Sequence, residues 1–315
     1  MSNVATELKM RRRRKLRQDI LKNWELYLFL LPAVVALFLF SYLPMYGVQI
    51  AFRDYKSFKG IWGSEWVGLK HFERFVGLDM FPRLLKNTIA ISVYSLVAGF
   101  PLPILLALAL NACQAHKFKR IVQTVSYAPH FISTVILVGM INLFFSPSSG
   151  VVATILQRLG LLQGNLNVLM NPNAFIHLYV WSGVWSSLGW NSIVYLSALS
   201  GVDTSLHEAA TVDGANKLQR CLHIDLPCIM PTIVMLLILN TGNIMSVGFE
   251  KAYLMQNSLN LDASEVLSTY VYKQGVKNAQ YSYSAAIGLF NSVINFVLMY
   301  SVNRISRAVS ENSLW

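Results

Sequence analysis

The stretch EAATVDGANKLQRCLHIDLP, residues 208–227, is where this sequence offers chemistry to a partner. Glu208 and Asp213 can reach basic groups on another surface. Ala209 and Ala210 are small enough for that surface to approach the backbone closely. Gly214 suits the left-handed residue that follows a helix end. The chemistry of such a set is docking rather than bond-making. Catalytic patterns are missing elsewhere. There is no GxxxxGK[ST] to cradle a nucleotide, no HExxH, no GxSxG and no pair of carboxylates inside an apolar stretch. The six His lack ligand spacing, and His130 and His177 read as packing or interfacial residues. Cys113, Cys221 and Cys228 have no CxxC spacing and read as free thiols in a reducing compartment. The chain reads as a non-enzyme without a metal.

The elements that carry this segment are apolar. Of the 315 residues 54% are hydrophobic and 13% charged, against about 25% charged in a soluble domain. Charges vanish from 26–52, 87–115, 121–157, 159–202, 226–249 and 278–303. Each window holds the ~20 residues that cross a bilayer as a helix. The expected spans are 26–50, 88–110, 122–145, 174–198, 229–248 and 284–303. The Asn- and Pro-containing run 162–175 reads as a loop before the fourth. The first window is too long for a signal peptide and lacks a small-residue cleavage site. KMRRRRKLR (9–17) sets the N-terminus inside, although 53–86 is also basic. That basic run reads as a contact for anionic headgroups rather than for nucleic acid. The expectation is an all-α polytopic membrane protein with six transmembrane helices, N-in and C-in. It has a basic cytoplasmic N-terminus (1–25), a transmembrane domain (26–307) and a short cytoplasmic tail (308–315).

In that topology 200–228 is a cytoplasmic loop. Ser205 and Glu208 fit a capping-box spacing, Leu206 to Val212 give two helical turns, and 215–223 reads as a second short helix. Pro227 and Pro231 fall where the next span begins. A headgroup-bound interfacial helix is the alternative, although the acidic first half fits it poorly. The spans carry no Asp, Glu, Lys or Arg, and their only histidines are His130 and His177. A proton- or ion-coupled carrier usually needs a charged residue there, so driving energy would come from another chain. A secondary carrier or channel for a small polar solute is the competing reading. A membrane-bound enzyme would require a catalytic constellation.

The quoted stretch resembles the EAA motif of bacterial binding-protein-dependent ABC importer permeases. Glu208-Ala209-Ala210, Gly214, Ile224, Leu226 and Pro227 match its spacing, between the fourth and fifth of six spans. The adjacent DGA (213–215) resembles the carbohydrate branch related to the maltose permeases. YAPHFISTVILVGMINLFFSPSSG (127–150), GFEKAYLMQNSLNLDASEVLSTYVYKQG (248–275) and YSYSAAIGLFNSVINFVLMYSVNRIS (281–306) resemble an LplB-like subgroup, whose members carry polysaccharide-derived oligosaccharides. The resemblance implies a type I ABC importer permease fold. It also implies a second homologous permease, two ATPase subunits that bind ATP and Mg, and an extracytoplasmic solute-binding protein. Glu208, Ala209, Ala210, Asp213 and Gly214 would dock to the ATPase, with Leu226 and Pro227 anchoring the loop. The segments 53–86 and 249–283 would face the binding protein. IWGSEWVGLKHFERF (61–75) would be a contact surface or an interfacial segment.

An oligosaccharide cargo implies aromatic rings for sugar C–H faces and amides for hydroxyls. The candidates for the substrate pathway are Tyr179, Trp181, Trp185, Trp190 and Asn191 on the fourth span, Asn240 and Asn243 on the fifth, and Asn291 and Asn295 on the sixth. Trp181, Trp185 and Ser192 share a helical face by spacing. Each Trp also fits an interfacial belt, and each Asn an interhelical hydrogen bond. Lys251, Lys273 and Lys277 are expected outside or at the rim, where they could only steer an acidic cargo.

Overall fold

Long charge-free runs fold as helices because a helix satisfies its own backbone. The computed structural model describes residues 22–147, 149–160 and 168–309. The rest of the basic N-terminus, most of the 162–175 loop's first half and the end of the C-terminal tail lie outside the described residues. The chain divides into two compact units, up to Gly68 and from Leu69.

The first unit holds α1 (Trp24–Phe52), an apolar helix of span length with no buried residue along its most apolar stretch. A helix that is hydrophobic all round and bare is one built for lipid or for a neighbouring helix. It is followed by β1 (Arg53–Lys56) and β2 (Gly60–Trp66), paired antiparallel with Asp54 opposite Glu65. This hairpin departs from the all-helical expectation. Gly60, at φ +66°, makes the turn, and Ser64 locks it by donating to the Gly60 carbonyl at 2.6 Å and accepting from the Lys56 N–H at 3.0 Å. The Arg53 guanidinium lies over Trp62 and Trp66. The segment 61–75 is thus half strand and half helix rather than one amphipathic piece.

The second unit begins with α2 (Lys70–Val76) and α3 (Phe81–Ala112). The expected third span is broken. α4 (His116–Tyr127) runs into a tight turn, Ala128–Phe131, and α5 (Thr134–Phe144) leaves it at 99°. Pro129 has no N–H to continue the helix, and Ser133 caps the new one by accepting from the Ile136 N–H at 3.3 Å. After α6 (Val151–Arg158) comes α7 (Pro172–Ser200), then α8 (Thr204–Val212) and α9 (Lys217–Thr241). The expected separate helix at 215–223 is instead the start of α9. A π-helical turn, Cys221–Asp225, joins it to the apolar part. The Pro227 ring would strike the carbonyl four residues back in a regular helix; the wider turn removes that clash. α10 (Phe249–Met255), α11 (Leu267–Tyr272) and α12 (Tyr281–Val309) complete the fold.

By length and apolar content α1, α3, α9 and α12 are four helices able to cross a membrane, with the bent α4–α5 pair a fifth. α7 has the length, but its Ser and Asn residues dilute its apolar content. It is nonetheless the central helix. Phe175, Tyr179, Val180 and Val184 pack with Ile91 of α3 and Leu137, Val138 and Ile141 of α5. Tyr195 and Leu199, further along, pack with Ile104 and Leu108 of α3 and Ile229 and Ile233 of α9. A third cluster joins Phe75, Leu84, Leu267, Tyr283 and Ile287.

Candidate functional site

The EAA segment is a folded helix. Its N-cap is Asp203, which accepts from the Ser205 N–H at 2.9 Å, rather than the Ser205 expected from S-x-x-E spacing. That backbone bond holds the Asp203 carboxyl below the usual aspartate range. At the other end Gly214 has φ +78°. Its N–H reaches the Thr211 carbonyl at 3.1 Å, and the Ala215 N–H reaches the Ala210 carbonyl at 2.8 Å, which is the paired closure that a left-handed glycine permits. The capping box stands one turn later, between Asn216 and Gln219. Glu208, Ala209, Asp213 and Gly214 are exposed, Ala210 half so, and Val212 is 88% exposed.

The root of α8 is braced by residues that sequence reasoning passed over. Asp225 is 4% exposed. Its Oδ1 accepts from Asn111 Nδ2, at the end of α3, at 3.3 Å and lies 3.2 Å from His207 Nε2 on α8. Arg220 donates to the Thr211 hydroxyl at 2.9 Å. α8 is thereby tied to two long helices at once. The available signal was an acid at the edge of the charge-free window 226–249. Leu226 is half-buried in the cluster with Ile229, while Pro227 is exposed.

The nine pathway candidates do not form one site. Asn191 and Asn240 line a cleft of about 330 Å³ between α3, α7 and α9, with Ser95, Gly183 and Ser187. Asn191 makes no hydrogen bond to any described residue, whereas Asn240 donates to the Leu236 carbonyl at 2.7 Å. Trp181 and Trp185, about half exposed, border a separate apolar groove with Leu137 and Phe144. Trp181 donates to the Tyr94 hydroxyl at 2.8 Å, and that hydroxyl lies 3.1 Å from His177 Nδ1. Ser192, expected on the same face, is fully buried. Trp190 stacks flat on His130 at 4.3 Å, beside the α4–α5 bend. Tyr179 is buried in the core. Asn243 donates weakly to its own helix at 3.3 Å. Asn295 is structural: its Oδ1 accepts from the Met245 N–H at 2.9 Å and its amide donates to Ser246. Asn291 has a buried Oδ1 with no partner.

The three lysines have different partners. Lys273 pairs with Glu265 at 2.7 Å. Lys277 sits over the Tyr253 ring, whose hydroxyl holds its amine above the usual lysine value. Lys251 is drawn against α7. Its Nζ donates to the Tyr179 carbonyl of α7 at 2.6 Å, and burial pushes it down to about 8.

Residues 99–311 match the family model described as binding-protein-dependent transport system inner membrane component. The chain belongs to this family. It is a membrane permease that works with a solute-binding protein, and it is not an enzyme. Among its relatives the Polygalacturonan/rhamnogalacturonan transport system permease protein YteP of Bacillus subtilis is 40% identical over 99% of this chain and 96% of its own length. Protein LplB of the same organism is 40% identical over 92% of this chain and 91% of its own. A chain of a crystallised bacterial ABC transporter involved in the import of the acidic polysaccharide alginate superposes with a TM-score of 0.85 at 40% identity, over 94% of this permease and 99% of that chain. The same likeness, at 39% identity, holds for the alginate transporter in complex with its pentasaccharide-bound periplasmic protein.

Proposed function

We propose that this permease is half of an ATP-driven import pathway for acidic, polysaccharide-derived oligosaccharides in a bacterial cytoplasmic membrane. The observation that carries the coupling is the bare face of α8. Glu208, Ala209, Ala210, Asp213 and Gly214 present a small, acidic, capped helix that an ATPase subunit can grip, and Asp225 transmits its movement to α3 and α9. The complex has a second homologous permease, two ATPase subunits with ATP and Mg, and an extracytoplasmic binding protein. Six spans, with α7 and the bent α4–α5 pair among them, put both termini inside. Rigid-body swinging of the helices then alternates access. The exposed ring of Trp62 on the hairpin is a contact for the binding protein. The acidic cargo follows from the relatives, which are named for polygalacturonan and alginate. Asn191 and Asn240 supply neutral partners for sugar hydroxyls.

The test is uptake of oligogalacturonate by proteoliposomes holding both permeases, the ATPase subunits and the binding protein. Glu208→Lys combined with Gly214→Pro is expected to abolish both ATPase assembly and uptake, because proline cannot adopt a positive φ. Survival of both would sink the docking role.

A further inference from the structure

We propose that Lys251 is a carboxylate-binding subsite at the edge of the α3–α7–α9 cleft, through which the permease favours acidic over neutral oligosaccharides. The inference rests on the functional reading above and names a residue for its specificity. Lys251 is carried on α10, whose Ala252 and Met255 share a core cluster with Val180 and Val184 of α7. Its Nζ stands 4.6 Å from the centroid of the Tyr179 ring as well as 2.6 Å from the Tyr179 carbonyl. A Cβ on Gly183 would come within 3.2 Å of that nitrogen, and Gly183 lines the cleft. The ammonium therefore stands beside Gly183, a residue of the cleft's lining to which Lys251 itself does not belong, in space that a side chain at 183 would contest.

Two other cations of the second unit have acidic partners: Lys273 is paired with Glu265, and Arg83 with Asp262 at 2.5 Å. Lys251 has no acidic partner among the described residues. An ammonium has three N–H donors, and the Tyr179 carbonyl takes one. A cation drawn out of water without a counter-charge is costly, and an arriving anion relieves that cost. Burial has already loosened its proton. The cleft itself contributes amides and hydroxyls but no charge. A cation beside neutral hydrogen-bonding groups complements a uronate, which offers one carboxylate among several hydroxyls.

The test uses the full complex, with both permeases, the ATPases and the binding protein, in proteoliposomes. Uptake of oligogalacturonate and of its methyl ester is compared, alongside ATP hydrolysis stimulated by the binding protein. Lys251→Gln is expected to lower acid uptake about tenfold, the worth of one charge-assisted hydrogen bond, and to leave ester uptake and ATP hydrolysis unchanged. Lys251→Arg restores acid uptake. Lys251→Met serves where the Gln variant does not assemble. Unchanged acid uptake in the neutral variants overturns the proposal, as does an equal fall for acid and ester. A wild-type complex that imports neither compound overturns the functional reading instead, and needs no variant to show it.

Discussion

Asp225 accepts from Asn111 and faces His207 while almost wholly removed from solvent. A buried acceptor with two donors is an asymmetric arrangement: removing it strands both donors, at about 1–3 kcal/mol. Asp225→Ala is expected to leave the spans folded but to loosen α8. The measurement is the ratio of uptake to ATP hydrolysed, which should fall while hydrolysis itself persists. Asp225→Asn keeps the accepting oxygen and should retain most of the coupling. An unchanged ratio in the Ala variant would remove Asp225 from the transmission. Asn295 teaches the opposite lesson at the same scale. Its type and membrane position fit a cargo contact, yet both ends of its amide are taken by the turn at Met245 and Ser246.

Among the elements, α7 is the one on which the rest depend, and its crossing with α4 is the tightest place on it. A Cβ on Gly189 would collide with the Ser126 carbonyl oxygen, which is backbone and cannot rotate aside. Gly189→Ala is therefore expected to push α4 away and to destabilise the permease by about 1–3 kcal/mol, seen as a lower unfolding temperature in detergent. An unaltered temperature would mean that the crossing yields easily. This scale also marks what was legible in the sequence. Charge-free windows locate helices well because bilayer thickness fixes their length. They are silent on the bend at Pro129, since a break of a few apolar residues leaves the window charge-free. They are silent on the hairpin too, where Arg53, Asp54 and Glu65 sit outside every window. The cap of α8 was misassigned by two residues because Asp203 and Ser205 both satisfy the local pattern, and only the backbone path chooses between them.

For the molecule as a whole, α8 was legible as a short stopped helix because its residues are contiguous and its glycine has a single conformational reason. The pathway was not. Whether Trp181, Asn191 or Ser192 meets solvent depends on how α7 is rotated and on which helices cover it at each height, and none of that is encoded at spacings of four and seven. The packing of the Lys251 helix against α7 is likewise invisible in the sequence, where Lys251 simply follows a span. The π turn at Cys221–Asp225 carries a consequence of a different kind. Such a turn is one residue inserted into a helix, and so it sets the angular phase between the docking end of α9 and its apolar end. Deleting Leu222 would remove the inserted residue, bring the Pro227 ring against the preceding turn, rotate everything before it by about 100° and draw it in by about 1.5 Å. Such a permease is expected to reach the membrane in normal amount and to fail to assemble with its ATPase, as co-purification would show. A one-letter gap here, neutral in composition, would act as a change of gear: the same shaft with its teeth facing the wrong way.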